Sequence, residues 1–267
     1  MGERFINYVL PDNVEEAYEA LQSRRTSRLI GGGCFVKLGE KKIVLAVDLS
    51  KSGLDYINEL ENEIEIGGMT SLRTFETSKL LKENFGDIIE DSVKNIIGVQ
   101  LRNIASIGGT VFPKFGFSDP LTALLALDAD IYLHGDGRIS LEDFLKEKTR
   151  RKDILEKVIL KKNVSRGSFQ SIRNSAVDYA ILNVAVGIVD GEYRIAVGAR
   201  PRRATLALEA MEFLNNNELN EENIIKTSNI VGEELHFGTN TRGSAEYRKE
   251  LSKVLTKRAL MEVSKWK

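Results

Sequence analysis

Two tight clusters of glycine limit this chain more than any other feature: Ile30-Gly31-Gly32-Gly33-Cys34-Phe35 after an apolar run, and Ser106-Ile107-Gly108-Gly109-Thr110 after a polar turn. Glycine is costly inside helices and strands, so both clusters read as loops where the main chain passes close to something. Without a Cβ, such a loop brings backbone N–H groups up to a phosphate and tolerates the φ values of an anion-binding nest. Both clusters are therefore candidate diphosphate sites. Neither matches G-x-G-x-x-G or G-x-x-x-x-G-K-[ST], so two common nucleotide-binding signatures are missing.

The remaining composition narrows the chemistry. A single cysteine, Cys34, leaves no internal disulfide and no thiolate set for an iron–sulfur cluster, and His134 and His236 are far apart in the sequence. Any redox cofactor of this chain is therefore expected to be organic. The formal net charge of -1, from 38 basic and 39 acidic residues, argues against nucleic acid as a partner, because phosphate binders need a broad positive field. No apolar stretch is long enough to span a bilayer, and the start of the chain has no signal-peptide core, so the expectation is a cytoplasmic protein without a membrane partner.

Apolar spacing suggests three lobes over the 267 residues. Residues 1–53 combine a helix through Val14, Ala17, Tyr18 and Leu21 with strands at 28–30 and 43–47. Residues 54–150 carry a short strand at 64–66 and a Gly67-Gly68 turn. Thr70 or Ser71 then caps a helix through Leu72, Phe75 and Leu80, and a second, apolar helix runs from Pro120 to about Leu127. The Lys/Arg-rich stretch at 146–152 reads as a linker. Residues 151–267 then begin with a strand over 154–160, continue with a hairpin across Asp190-Gly191, and end in a helix over 248–263 with Leu251, Val254, Leu255 and Arg258 on one face. The fold class is α+β, without the strand–helix alternation of a doubly wound sheet.

The order of the intervening words is more specific than either cluster. Gly67-Gly-Met-Thr-Ser-Leu72, Gln100-Leu-Arg-Asn-Ile-Ala-Ser-Ile-Gly-Gly109, Ser118-Asp-Pro-Leu-Thr-Ala123, Leu141-Glu-Asp-Phe144, Asp178-Tyr-Ala180, Gly198-Ala-Arg-Pro201 and Arg242-Gly-Ser-Ala-Glu-Tyr-Arg248 follow one another along nearly the whole chain. Together they closely resemble the FAD-binding medium subunit of molybdenum hydroxylases of the xanthine dehydrogenase and carbon monoxide dehydrogenase type. The resemblance implies a two-lobed FAD-binding domain of the vanillyl-alcohol-oxidase type, followed by a small α+β C-terminal domain. It implies FAD as cofactor, with contacts from Leu29, Ile30, Gly31, Gly32, Gly33, Cys34, Phe35 and Val36, from Ser106, Ile107, Gly108, Gly109 and Thr110, and from Asp119 and Gln170. Ile96 and Glu156 align with further flavin contacts.

The same resemblance implies a heterotrimer. Its other members would be a molybdopterin-containing large subunit that hydroxylates the substrate, and a small subunit with two two-iron two-sulfur clusters. This chain would pass their electrons to NAD+ or another acceptor, with no catalytic side chain and no metal of its own. Thr110 stands where the family commonly has Asn, and Gln170 where some members have Lys. Several residues also carry plain structural readings: Asp119 as an N-cap before Pro120, Thr70, Ser71 and Arg102 as caps or turn anchors, and His134 as an exposed turn residue. Two rival functions remain open on the sequence, a free-standing flavin oxidase and a non-enzymatic scaffold with a decayed FAD site. The short third lobe weighs against the oxidase.

Overall fold

A computed structural model of the chain describes residues 5–34, 36, 43–148 and 151–265. Phe35 lies outside the described residues. The first lobe is a parallel three-stranded sheet in the order β1-β3-β2, formed by β1 (Phe5–Val9), β2 (Ser27–Ile30) and β3 (Ile43–Asp48). Helix α1 (Val14–Gln22) makes the crossover from β1 to β2, with the Asn13 side chain accepting from the Glu16 N–H at its start. It buries Ala17 and Leu21 against Val47 and Leu49.

The second lobe is built on a five-stranded sheet in the order β4-β5-β8-β6-β7: β4 (Ile57–Glu59), β5 (Glu63–Gly67), β6 (Asp130–Leu133), β7 (Gly137–Ser140) and β8 (Leu155–Lys161). Strand β8 lies at the centre of this sheet, paired antiparallel to both β5 and β6. The strand read as opening the third lobe thus belongs to the second, because Val158 and Leu160 fill its core. Ser71 caps α2 (Leu72–Thr77), as read from the sequence. Leu80, however, sits in a separate helix α3 (Lys79–Phe85), because Ser78 ends the first helix and caps the next. Helices α4 (Ile88–Val93), α5 (Val99–Arg102), α6 (Ile107–Val111), α7 (Asp119–Ala126) and α8 (Leu141–Lys146) complete the lobe.

The third unit is an antiparallel sheet in the order β12-β11-β10-β9: β9 (Val164–Arg173), β10 (Ala180–Val189), β11 (Glu192–Gly198) and β12 (Thr205–Leu206). The predicted hairpin is present, with Val189 opposite Glu192 and positive φ at both Asp190 (51°) and Gly191 (86°), as a tight primed turn requires. Strict alternation along β10 and β11 gives each face its own core. Leu182, Val184, Val186, Ile195 and Val197 meet α9 (Leu208–Asn215), α10 (Glu221–Glu234) and α11 (Ala245–Ser264), whereas Ala185, Val189 and Ala196 join the core of the second lobe. In α11 the expected face divides: Leu255 is buried, but Val254 and Arg258 point to solvent while Arg248, Ser252 and Thr256 turn inward. Among the described residues, no helix is long and apolar enough to cross a membrane.

Candidate cofactor site

The chain folds so that the two glycine clusters touch. A Cβ on Gly31 would lie 2.9 Å from Ser106 Oγ and 3.2 Å from Met69 Sδ, and one on Gly32 would lie 1.6 Å from the carbonyl oxygen of Ile104. Gly32 and Gly33 both adopt left-handed backbone, with φ near +71° and +69°, which a side chain resists. A Cβ on Gly109 would in turn lie 3.1 Å from Ser106 Oγ. Ser106, 4% exposed as a residue, therefore places its hydroxyl between the two segments.

Although both clusters read as loops, the second is the short helix α6. Ser106 caps it by accepting from the Gly109 N–H at 3.2 Å. Backbone bonds lock it to the strand-like segment before α2: Leu72 N–H donates to Ala105 O, Ile107 N–H to Thr70 O and Gly108 N–H to Gly68 O, at 2.7, 2.9 and 2.7 Å. The amides of Ile107, Gly108 and Gly109 are thus already bonded within the fold. Those of Gly31, Gly32 and Gly33, by contrast, have no acceptor among the described residues. The first segment supplies bare backbone donors, and the second supplies a wall whose glycines let it come close. That pairing fits a diphosphate held by main-chain N–H groups with the Ser106 hydroxyl beside it.

Other sequence candidates divide between this junction and elsewhere. Leu29 and Ile30 end β2 directly before the glycines, Cys34 and Val36 follow them as partly buried residues, and the Thr110 hydroxyl lies 2.8 Å from that of Ser118. Glu156 reaches the junction through its backbone, whose carbonyl accepts from Gly68 N–H at 2.7 Å. Its carboxylate instead meets His134 Nδ1 at 2.7 Å. His134 is not the exposed turn residue expected, because its ring also packs against Tyr18 with centroids 4.6 Å apart. Thr70 bonds the carbonyl of Tyr56, and Arg102 is buried between Glu76 at 2.7 Å and the carbonyl of Ile96 at 3.0 Å. All three are committed to structure.

Asp119 is not the N-cap of α7. Ser118 holds that place, and the Asp119 carboxylate, 3% exposed, bonds Arg173 at 2.5 Å and the amide of Asn183. Burial pushes its carboxyl up from the ordinary range, while Arg173 and Asn183 pull the other way. Gln170 is not brought to the junction. Alternation along β9 turns it, with Ser168, onto the face that meets α11, where both bond the Glu262 carboxylate at 2.6 Å. Sequence reasoning missed Gly68, Met69 and Ile104 as parts of the junction. Gly67-Gly68 was legible only as a turn, yet a Cβ on Gly68 would lie 2.2 Å from the carbonyl of Leu155.

Residues 4–162 match the FAD binding domain in molybdopterin dehydrogenase, and residues 167–263 match the CO dehydrogenase flavoprotein C-terminal domain. The chain is 24% identical to the glyceraldehyde dehydrogenase medium chain of Sulfolobus acidocaldarius, covering 97% of this chain and 98% of the relative. It is 21% identical to the xanthine dehydrogenase FAD-binding subunit of Escherichia coli O157:H7, over 97% and 96%. Its fold superposes on quinoline 2-oxidoreductase from Pseudomonas putida 86 with a TM-score of 0.86 at 21% identity, covering 97% and 96%. With CO dehydrogenase from Oligotropha carboxidovorans the TM-score is 0.87 at 20% identity, with 98% of each chain covered. With both domain models matched in order over nearly its whole length, the chain belongs to the family of FAD-binding oxidoreductase subunits of molybdenum hydroxylases, and its cofactor is FAD.

Proposed function

We propose that this chain is the electron-transfer flavoprotein of a heterotrimer, receiving electrons from the two-iron two-sulfur clusters of a small partner subunit. A molybdopterin-containing large subunit would supply those electrons by hydroxylating the substrate. The acceptor would be NAD+ or another carrier. The observation that carries the reading is the meeting of the Gly31–Gly33 backbone with the Ser106–Thr110 segment that opens α6, in a chain whose family is defined by FAD. Relatives named as a medium chain and a medium subunit support the three-part assembly.

Bound flavin suits such a junction because it accepts electrons singly and releases them singly or in pairs. The chain's own residues have simpler tasks. Gly31, Gly32 and Gly33 present N–H groups, Ser106 and Thr110 present hydroxyls, and the Gly68–Gly108 contact keeps the second wall in place. Among the described residues, no group of three His, Cys, Asp or Glu side chains is placed to hold a metal. The absorption spectrum of the purified chain, with the mass of any released cofactor, tests the site. Co-purification of molybdenum and iron with two further subunits tests the relay. A yellow chain that assembles with no partner would sink the relay while leaving the cofactor in place.

A further inference from the structure

Helix α7 is buried along its whole length, yet it rests on an unusually smooth surface. A Cβ on Gly187 of β10 would lie 2.3 Å from the carbonyl oxygen of Ala126, and one on Gly198 of β11 would lie 2.0 Å from Thr122 Oγ1. At Gly187 helix backbone thus lies almost directly on sheet backbone, and at Gly198 the missing Cβ leaves room for the Thr122 and Asn183 side chains, so no bulky knob sets the register at either place. The polar contacts at its first turns do that instead. The Asp119 carboxylate takes Arg173 Nη2 at 2.5 Å and the Asn183 amide, and Thr122 Oγ1 donates to Asn183 Oδ1 at 2.9 Å. Arg173 Nη1 also donates to the carbonyl of Asp178 at 2.8 Å.

This ion pair is a poor device for stability alone. Both side chains are nearly inaccessible, at 7% and 3% exposure, and Arg173 Nε has no hydrogen-bond partner. An apolar pair of similar volume often serves stability as well or better. A guanidinium and a carboxylate do, however, define a direction as well as a distance. The residue next to Asp119 is Ser118, whose hydroxyl lies 2.8 Å from that of Thr110 in α6, directly after its two glycines.

We infer that Arg173 is a positioning residue for the cofactor site: from the third unit it fixes the first turn of α7 and, through Ser118 and Thr110, the wall formed by Ser106–Thr110. The inference rests on the placement of FAD at the glycine junction. The third unit thereby governs how tightly the first two lobes hold the cofactor.

The test is FAD titration of the full-length apoprotein, followed by flavin fluorescence, together with the midpoint potential of the bound flavin and circular-dichroism melts. Asn183→Ala loosens the same register from a residue with no place in the glycine junction, and Arg173→Met removes the guanidinium. The double variant Arg173→Met/Asp119→Asn leaves no buried charge unpaired if the single change does not fold. Expected are folded proteins that bind FAD roughly ten- to hundredfold more weakly, the scale on which supporting residues act, with a shifted flavin potential and partial rescue by Arg173→Lys. Folded variants that bind FAD as tightly as the parent, at an unchanged potential, would overturn the role. Gly32→Ala separates the two readings. If it binds FAD normally, the site placement fails; if it loses FAD while Asn183→Ala and Arg173→Met keep it, the placement stands and the positioning role falls.

Discussion

The two glycine segments look alike as sequence and differ in why they need glycine. At Gly32 and Gly33 the requirement is first a torsional one, with φ near +71° and +69°, and among the described residues the backbone N–H groups have no acceptor. At Gly108 and Gly109 the torsions are ordinary and helical, and the requirement is room: a Cβ on Gly108 would lie 2.8 Å from the carbonyl of Gly68. One segment is a donor loop and the other a closely packed wall. A glycine cluster in a sequence therefore announces close approach without saying which partner, ligand or main chain, is approached.

Substitutions should separate these two needs. The largest effect is expected for Gly32→Ala, which meets both a left-handed φ and a carbonyl 1.6 Å from the new Cβ. A loss of about 3 kcal/mol and complete loss of bound FAD are predicted, read from thermal melts and the flavin-to-protein absorbance ratio. Normal flavin content would break the contrast at once. Gly108→Asp should also abolish FAD retention, by pushing α6 off Gly68, while the third unit keeps its fold. A fully yellow Gly108→Asp protein would show that the wall is not part of the site.

Two smaller changes isolate single terms. Gly33→Ala keeps the unfavourable torsion but meets only Ile30 Cγ2 at 3.8 Å, so a cost of about 1 kcal/mol is expected. Ser106→Ala removes the cap of α6 at a similar cost of about 1 kcal/mol and takes away the hydroxyl between the segments. FAD affinity should fall more for Ser106→Ala than for Gly33→Ala; the reverse order would place the cofactor away from Ser106.

The smallest effect concerns acid. The approach to the second segment is anchored ionically, by Arg102 between Glu76 and the carbonyl of Ile96. Burial pushes the Glu76 carboxyl up, but Arg102 and Arg73 together hold it below its ordinary value of 4.5. A carboxyl held low in the folded state adds stability above its unfolded value, and that share is lost as pH falls through the lowered value. The melting temperature should therefore drop more steeply below the ordinary carboxylate range in the parent than in Glu76→Gln. Parallel curves would mean that the anchor is not ionic in effect.

Much of this arrangement was legible from local chemistry. Alternation and the Asp190-Gly191 turn marked the β10–β11 hairpin, Ser71 marked a helix start, and the two glycine clusters marked the places of close approach. Element type at such positions depends on neighbours a few residues away, which a sequence displays directly. The ordered words along the chain marked the family, which the matches over residues 4–162 and 167–263 then showed.

What only the tertiary structure decided involves partners distant in the chain. Strand β8 follows a basic stretch that reads as a linker, yet its apolar residues complete the sheet of the second lobe, so pairing overrode composition. Asp119 carries an N-cap signature, but Arg173 and Asn183, 54 and 64 residues away, claim its carboxylate. Gln170 lies on a strand whose two faces are both covered, and the one it presents to α11 depends on a register set by β10. Local periodicity states which residues share a face. Which face meets which neighbour is a property of packing, and here it separates the backbone of the glycine junction from the buried side chains of Asp119, Arg173 and Asn183 that bond across units of the fold.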